Sequence, residues 1–301
     1  MKSPSRAGAN PREIRLALVL LILSTLSVGI SGTFVRLSET GPTATAFWRM
    51  ALATAVMWLM WRLERRRGVG LALPSTREDY ALLITSGLLF GAEIGIWHVS
   101  LLMTTVTNAT LLSNASPLVV AFGGWLLLGE RLTSTFLIGM FVALAGCAVL
   151  VGQSFTLSFG HVRGDGLAAF AAVLFGLYIL CISRLRRRLS TSLIMTWTCA
   201  FGALGLLPGP FIMGEVFWPA TLAGWAIVAT IALVCQAAGQ SLLTSALAHL
   251  PASFSSIAFL LVPINAAWFA WAVLGEPVRP LQAVGAVIVF AGVYLARRGS
   301  R

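Results

Sequence analysis

One acidic residue stands in the middle of a long apolar run. It is Glu93, in the stretch SGLLFGAEIGIWHVSL. If this run is a helix, residues three or four positions apart share its face. The residues on that face are Ser86, Phe90, Trp97, Ser100 and Thr104. A carboxylate among hydroxyls and aromatic rings suits a zwitterionic or amphipathic ligand, and the alternative is a bond that locks this helix to a neighbour.

His98 lies five positions after Glu93, about 140° around such a helix, so the two side chains do not form a direct pair. We expect His98 to be a packed neutral imidazole that bonds a neighbouring helix. Gly91 and Gly95 share its face, and their small size predicts close helix packing there.

A second polar stripe occurs late in the chain, where Gln236, Gln240 and Thr244 follow one another at steps of four residues. Two amides on one helix face can bond a substrate carboxylate or amine, or they can hold helices together. The sequence leaves both roles open.

Polar residues also precede a proline, Pro117, within an apolar run. They are Asn108, Ser113, Asn114 and Ser116. Proline removes a helical hydrogen bond and bends a helix. Pro263 stands in an equivalent run, so the two prolines are candidate hinges, although membrane helices also tolerate proline without a function.

Composition determines which elements carry these groups. The chain is 58% hydrophobic and 10% charged, whereas soluble domains carry about 25% charged residues. The apolar runs are continuous, so they predict membrane-spanning α-helices. The ten predicted spans are 14–37, 43–62, 80–103, 107–128, 133–152, 165–183, 190–212, 219–247, 251–274 and 279–297.

Arginine and lysine concentrate in the N-terminus, the loops at 62–79 and 184–189, and the C-terminus. This bias predicts that both termini are cytoplasmic. Arg49, beside Trp48, is expected to snorkel or pair at the outer boundary, and a role with an anionic substrate is the weaker alternative. The four cysteines lie in apolar runs and are interpreted as packing residues.

The sequence repeats itself after 146 residues. GWLLLGERLT at 124–133 matches AWAVLGEPVR at 270–279, and Pro117 matches Pro263. Five spans per half is an odd number, so the fold class predicted is an all-α polytopic membrane protein made of two inverted five-helix repeats. The predicted parts are a tail at 1–13, repeats at 14–152 and 164–297, a linker at 153–163 and a tail at 298–301.

Glycines recur within the repeat and are interpreted as scaffold. Gly129 and Gly275 suit left-handed helix ends. The pairs at 139/146 and 285/292 predict close packing of spans five and ten.

The segments at 117–151 and 263–296 resemble the repeat units of the drug/metabolite transporter superfamily, in its EamA-type ten-helix exporter branch. Within that branch the chain is similar to bacterial amino-acid exporters, particularly those for aromatic amino acids. The resemblance implies that an aromatic of the sixth span, Phe175 or Tyr178, faces the cavity. Ser116 stands where those exporters carry an aromatic residue, which weakens the aromatic preference.

The leading hypothesis is therefore a secondary-active or facilitative exporter of amino acids or similar metabolites, working by alternating access through a cavity between the repeats. The alternative is an exporter of drugs or organic cations, because Glu93 and Trp97 suit a cationic aromatic ligand. We expect no cofactor, since the sequence has neither a phosphate-binding loop nor a histidine metal motif. Neither an enzyme, a channel nor a nucleic-acid-binding protein is favoured, and the fused repeats are compatible with a monomer in a lipid bilayer.

Overall fold

The computed structural model describes residues 11–68, 72–104, 109, 112–151, 161–274 and 280–300. Helices dominate these residues, and no strand is assigned among them. Seven helices of the described part are long and apolar enough to cross a membrane, and two shorter apolar helices accompany them. The predicted fold class, an all-α polytopic membrane protein with ten helical units, is confirmed.

The first half contains five units. They are α1 (Pro11–Gly29, continued by Ser31–Arg36), α2 (Pro42–Arg66), α3 (Arg77–Met103), α4 (Ser116–Leu128) and α5 (Ser134–Val151). Local signals define their ends: Pro42 begins α2, and Thr76 forms a capping box with Asp79 at the start of α3.

The second half repeats this order. Its units are α6 (Val162–Leu185), α7 (Thr191–Leu206, continued by Pro208–Ile212), α8 (Leu222–Thr230, Ile231–Gln240 and Ser241–Ala246), α9 (Ala252–Ala258, Phe259–Leu261 and Val262–Leu274) and α10 (Pro280–Gly299). The middle part of α8 is a π-helix, and the middle part of α9 is a 3₁₀ turn. The predicted spans agree with these bounds to within a few residues, except that 107, 108, 110 and 111 of the fourth span, 152 of the fifth and 279 of the tenth lie outside the described residues.

The helix packing has two-fold symmetry. α3 packs on α6 and α7, and its counterpart α8 packs on α1 and α2. In the same way α4 packs on α6, as α9 packs on α1, while α2 pairs with α7 and α5 with α10. Each of these contacts either has a counterpart or joins equivalent helices, which is what two related five-helix halves require.

The glycine stripes form the closest seam of the bundle, between α5 and α10. A methyl group on Gly146 would lie 2.5 Å from the Val289 nitrogen, and one on Gly285 would lie 2.5 Å from the Leu150 nitrogen. Gly139 and Gly292 meet the opposite backbone in the same way. The predicted packing of spans five and ten is therefore confirmed.

Gly129 ends α4 with a φ of 68°, the left-handed conformation expected of it. Its counterpart Gly275 lies outside the described residues. Glu130 follows in the loop and accepts hydrogen bonds from the Ala252 nitrogen at 2.8 Å and the Ser253 nitrogen at 3.1 Å. The Leu-Gly-Glu motif of the first half is thus part of the frame, because it fastens the end of α4 to the start of α9.

Candidate functional site

An aromatic cluster joins α3, α6 and α9. The rings of Phe90 and Tyr178 stack with centroids 4.5 Å apart, and Phe175 lies 5.9 Å from Tyr178 and 5.6 Å from Phe259. Tyr178 and Phe90 are buried, whereas Phe175 and Phe259 are half-buried. The structure thus brings together Phe90, Phe175 and Tyr178, of which only Phe175 keeps accessible surface.

Glu93 lies three residues along α3 from Phe90 and is half-buried. Among the described residues no hydrogen bond or ion pair reaches its carboxylate, although Arg49 and Tyr178 are near enough to interact with it electrostatically. The locking bond that was the alternative for Glu93 is therefore not formed in this part of the chain.

Arg49 corrects the sequence analysis. The expected snorkelling is wrong, because Arg49 of α2 is only 7% exposed. Its Nε donates to Gln236 Oε1 at 2.9 Å, and its Nη1 donates to Ser31 Oγ at 3.2 Å. The sequence signal was an arginine two turns inside an apolar helix, which we interpreted as a snorkelling side chain. It is instead a buried cation near Glu93.

The glutamines of α8 lie in the π-helix, not in the regular α-helix that the four-residue spacing predicted. Gln236 bonds Arg49 and also donates to Cys199 Sγ at 3.6 Å. Thr244 donates to Met195 Sδ at 3.4 Å. Gln240 is buried, and its Oε1 has no partner in the described part of the chain. Gln236 and Thr244 therefore join helices, while Gln240 retains an unused acceptor.

Trp97 and Ser100, which share the helix face of Glu93, differ in their hydrogen bonding. Trp97 is half-buried, and its Nε1 has no partner among the residues that the structure describes. Ser100 is buried and donates to the Trp97 carbonyl of its own helix at 2.7 Å. Trp97 therefore has an N–H donor that the described residues do not use, whereas the Ser100 hydroxyl proton is already used.

The two prolines each begin a helical segment. Pro117 is the second residue of α4, after a turn at Asn114 and Ala115, and Pro263 is the second residue of Val262–Leu274, after the 3₁₀ turn. The predicted breaks therefore exist in both halves, and their role as hinges stays a prediction. Asn114 is half-buried and Ser116 buried; Asn108 lies outside the described residues.

His98 behaves as predicted, since its Nδ1 donates to the Pro42 carbonyl at 2.8 Å. A methyl on Gly91 would lie 2.7 Å from the Gly202 oxygen, and one on Gly95 would lie 3.0 Å from Leu206. This face of α3 is therefore packed against α7, and the close packing predicted for it is confirmed.

The arrangement places a carboxylate and a guanidinium, both enclosed by helices, beside aromatic rings. Such a site can bind a molecule that carries charge and a hydrophobic part. The four cysteines are free thiols, as predicted, and no metal-binding group of histidine, cysteine or carboxylate side chains occurs among the described residues. An open groove of about 530 Å³ near Trp125 and Glu130 lies at the end of α4, away from these groups.

Comparison with known proteins supports this architecture. The EamA-like transporter family matches residues 15–152 and again residues 162–298. An uncharacterized transporter of Archaeoglobus fulgidus is 29% identical over 94% of this chain and 96% of its own length. A probable terminal-alkyne amino-acid exporter of Streptantibioticus cattleyicolor is 30% identical over 64% of both chains.

A crystal structure of 18% sequence identity superposes with a TM-score of 0.80, covering 97% of this chain and 98% of the other, so the fold is shared. The relatives are named as transporters, and the family model covers both halves of the chain. This protein therefore belongs to the EamA-like transporter family, as a multi-pass membrane transporter of small molecules.

Proposed function

We propose that the protein exports amino acids, including aromatic ones, by alternating access. The observation that carries this proposal is Glu93, a carboxylate without a hydrogen-bonding partner in the described chain, next to an aromatic cluster at the contact between the two halves. A free carboxylate binds an ammonium group, and the rings of Phe175 and Trp97 offer apolar surface to a side chain. The exporter named among the relatives supports the same substrate class.

Contacts at both ends of the bundle support alternating access. At the end where α1 begins, here called the N-terminal end, Glu130 of the first half caps α9 of the second half. At the opposite end, Glu215 of the second half accepts from the Thr43 and Ala44 nitrogens of α2, both at 2.9 Å. Each carboxylate uses the free N–H groups at a helix start. Opening either end would break the bonds there while those at the other end persist.

We further propose that the N-terminal end faces the cytoplasm of a bacterial inner membrane. Arg184 pairs there with Glu78, and the Arg188 Nη1 lies 3.4 Å from Asp79 Oδ1. The opposite end uses acidic caps such as Glu39 and Glu215. This charge distribution follows the positive-inside rule.

The substrate is tested with protein reconstituted in liposomes. Efflux of radiolabelled phenylalanine, leucine and glutamate is compared with efflux of a panel of organic cations. We expect transport of neutral amino acids, and Glu93→Gln is expected to reduce it at least about tenfold because a charge-assisted bond to the ammonium is lost. Movement of organic cations alone would identify the alternative, a drug or organic-cation exporter.

The transport cycle is tested separately with Glu130→Gln and Glu215→Gln, which weaken caps at opposite ends. Single cysteines in the core are labelled with reagents added from one side at a time. Glu130→Gln should increase labelling from the N-terminal end, and Glu215→Gln labelling from the other. Equal changes from both sides would argue against alternating access.

A further inference from the structure

Arg49 has hydrogen-bonding capacity that the described residues do not use. A guanidinium carries five N–H donors, and within the described chain Arg49 gives one to Gln236 and one to Ser31. No carboxylate of the described residues lies within 4.0 Å of it. A cation that is 7% exposed is costly without a charged partner, so its retention points to a ligand.

The bonds that Arg49 does make fix its orientation. Because Nε is bonded to Gln236 and one Nη1 proton to Ser31, the three remaining donors are one N–H on Nη1 and two on Nη2. A guanidinium binds the two oxygens of a carboxylate through parallel N–H groups of its planar edge. Gln236 and Ser31 thus leave Arg49 with terminal N–H donors for a carboxylate.

The opposite charge is supplied by Glu93. It interacts electrostatically with Arg49, yet no ion pair within 4.0 Å joins them. We propose that Arg49, held by Gln236, is the subsite for the substrate carboxylate, and that Glu93 receives the ammonium group of the same molecule. This inference rests on the proposed function and narrows the substrate to α-amino acids, as opposed to amines.

The test compares three probes that share a phenyl ring: phenylalanine, phenethylamine, which lacks the carboxylate, and 3-phenylpropionate, which lacks the ammonium. Uptake into liposomes is measured for the wild type, Arg49→Gln, Arg49→Lys and the control Thr198→Val. Thr198 of α7 bonds Ser86 at 3.1 Å and lies in the contact that corresponds to the one between α2 and α8.

We expect Arg49→Gln to reduce phenylalanine transport at least about tenfold, because a charge-assisted bidentate bond is lost, while phenethylamine transport stays within about twofold. Arg49→Lys keeps the charge but loses the planar edge, so it should lower the ratio of phenylalanine to phenethylamine transport in the same direction but by less. The ratio of phenylalanine to phenethylamine transport should be unchanged in Thr198→Val. If Arg49→Gln does not fold, the Arg49→Lys ratio decides.

An equal fall of transport of both probes would show that Arg49 only supports the structure, and an unchanged transport of both would show that Arg49 does not contact the carboxylate; either result overturns the subsite alone. A wild type that moves phenethylamine but no amino acid overturns the amino-acid substrate as well as the subsite.

Discussion

Two helix contacts occupy equivalent places in the halves but differ in chemistry. Between α3 and α7, Gly91 packs against Gly202, and Ser86 and Thr198 share a hydrogen bond of 3.1 Å. Between α2 and α8, the charged Arg49 bonds Gln236. The first contact is close and neutral, whereas the second contains a buried cation.

The backbone conformations of α3 and α8 also differ. α3 is one regular α-helix of 27 residues, while its counterpart α8 contains a ten-residue π-helix around Gln236 and Gln240. π-helical turns are rare and occur frequently at functional sites. The repeat therefore gives both halves the same helix framework. The π-helix and its two glutamines, however, occur in α8 and not in its counterpart α3. We expect α8, and not α3, to be the helix that changes conformation during transport.

The largest effect on stability is expected from Gln236→Leu. This change leaves the Arg49 Nε buried without its partner, which should cost about 3 kcal/mol. Thermal unfolding of the purified protein in detergent, followed by intrinsic tryptophan fluorescence, measures the loss. Gln240→Leu is the control, because its Oε1 has no partner to lose in the described chain. An equal loss of stability in both variants would show that the hydrogen bond between Arg49 and Gln236 does not account for the effect of Gln236→Leu.

A smaller loss is expected from Gly91→Ala in the close contact between α3 and α7. The added methyl would lie 2.7 Å from the Gly202 oxygen, and such overpacking typically costs about 1–3 kcal/mol. Gly166→Ala in α6 is the matched control, because nothing lies within 4 Å of its added methyl. If both variants unfold at the wild-type temperature, the α3–α7 contact is not rigid and the contrast with α8 fails.

Thr198→Val should have a lesser effect still, about 1 kcal/mol, since it removes one bond between neutral groups. Transport should stay at the wild-type rate, because the Ser86 hydroxyl also donates to its own helix at the Leu83 carbonyl, 2.8 Å away. Stability and transport are measured on the same preparation. A loss of transport in Thr198→Val would show that the α3–α7 contact also takes part in transport. The α3–α7 and α2–α8 contacts would then not differ in function.

Much of the fold could be predicted from the sequence, because length, hydropathy and the repeated glycines act locally or along one helix. The glycines of α5 and α10 are an example: their spacing predicted a seam that the structure contains. The position of Glu93 on a helix face shared with Phe90 and Trp97 also followed from helical periodicity.

Arg49 and the π-helix could not be predicted, since both depend on contacts between distant parts of the chain. Arg49 bonds Gln236 across 187 positions, and a single arginine near a helix start has the same local pattern whether it snorkels or lies inside. The π-helix changes which α8 side chains share a face, and the four-residue spacing of Gln236 and Gln240 gave no sign of it.

The smallest effect concerns the loop that fastens α8. Glu39 accepts a hydrogen bond from Thr221 Oγ1 and others from the Ala220 and Thr221 nitrogens at 2.9 and 3.0 Å. The Thr221 side chain is the main cause that holds the Glu39 pKa below its usual value of 4.5. The cap is therefore fully present above pH 4.5 and is lost as pH falls through the lower folded-state pKa.

Acidification below pH 4.5 should loosen the start of α8 in the wild type, which hydrogen exchange at residues 220–224 can detect. Glu39→Gln should show the faster exchange already at neutral pH and lose this pH dependence. Because Glu39 is exposed, the change should be confined to the loop and leave the α3–α7 contact protected. Equal increases of hydrogen exchange at residues 220–224 and in the α3–α7 contact would mean that the two halves move together. The start of α8 would then not move independently.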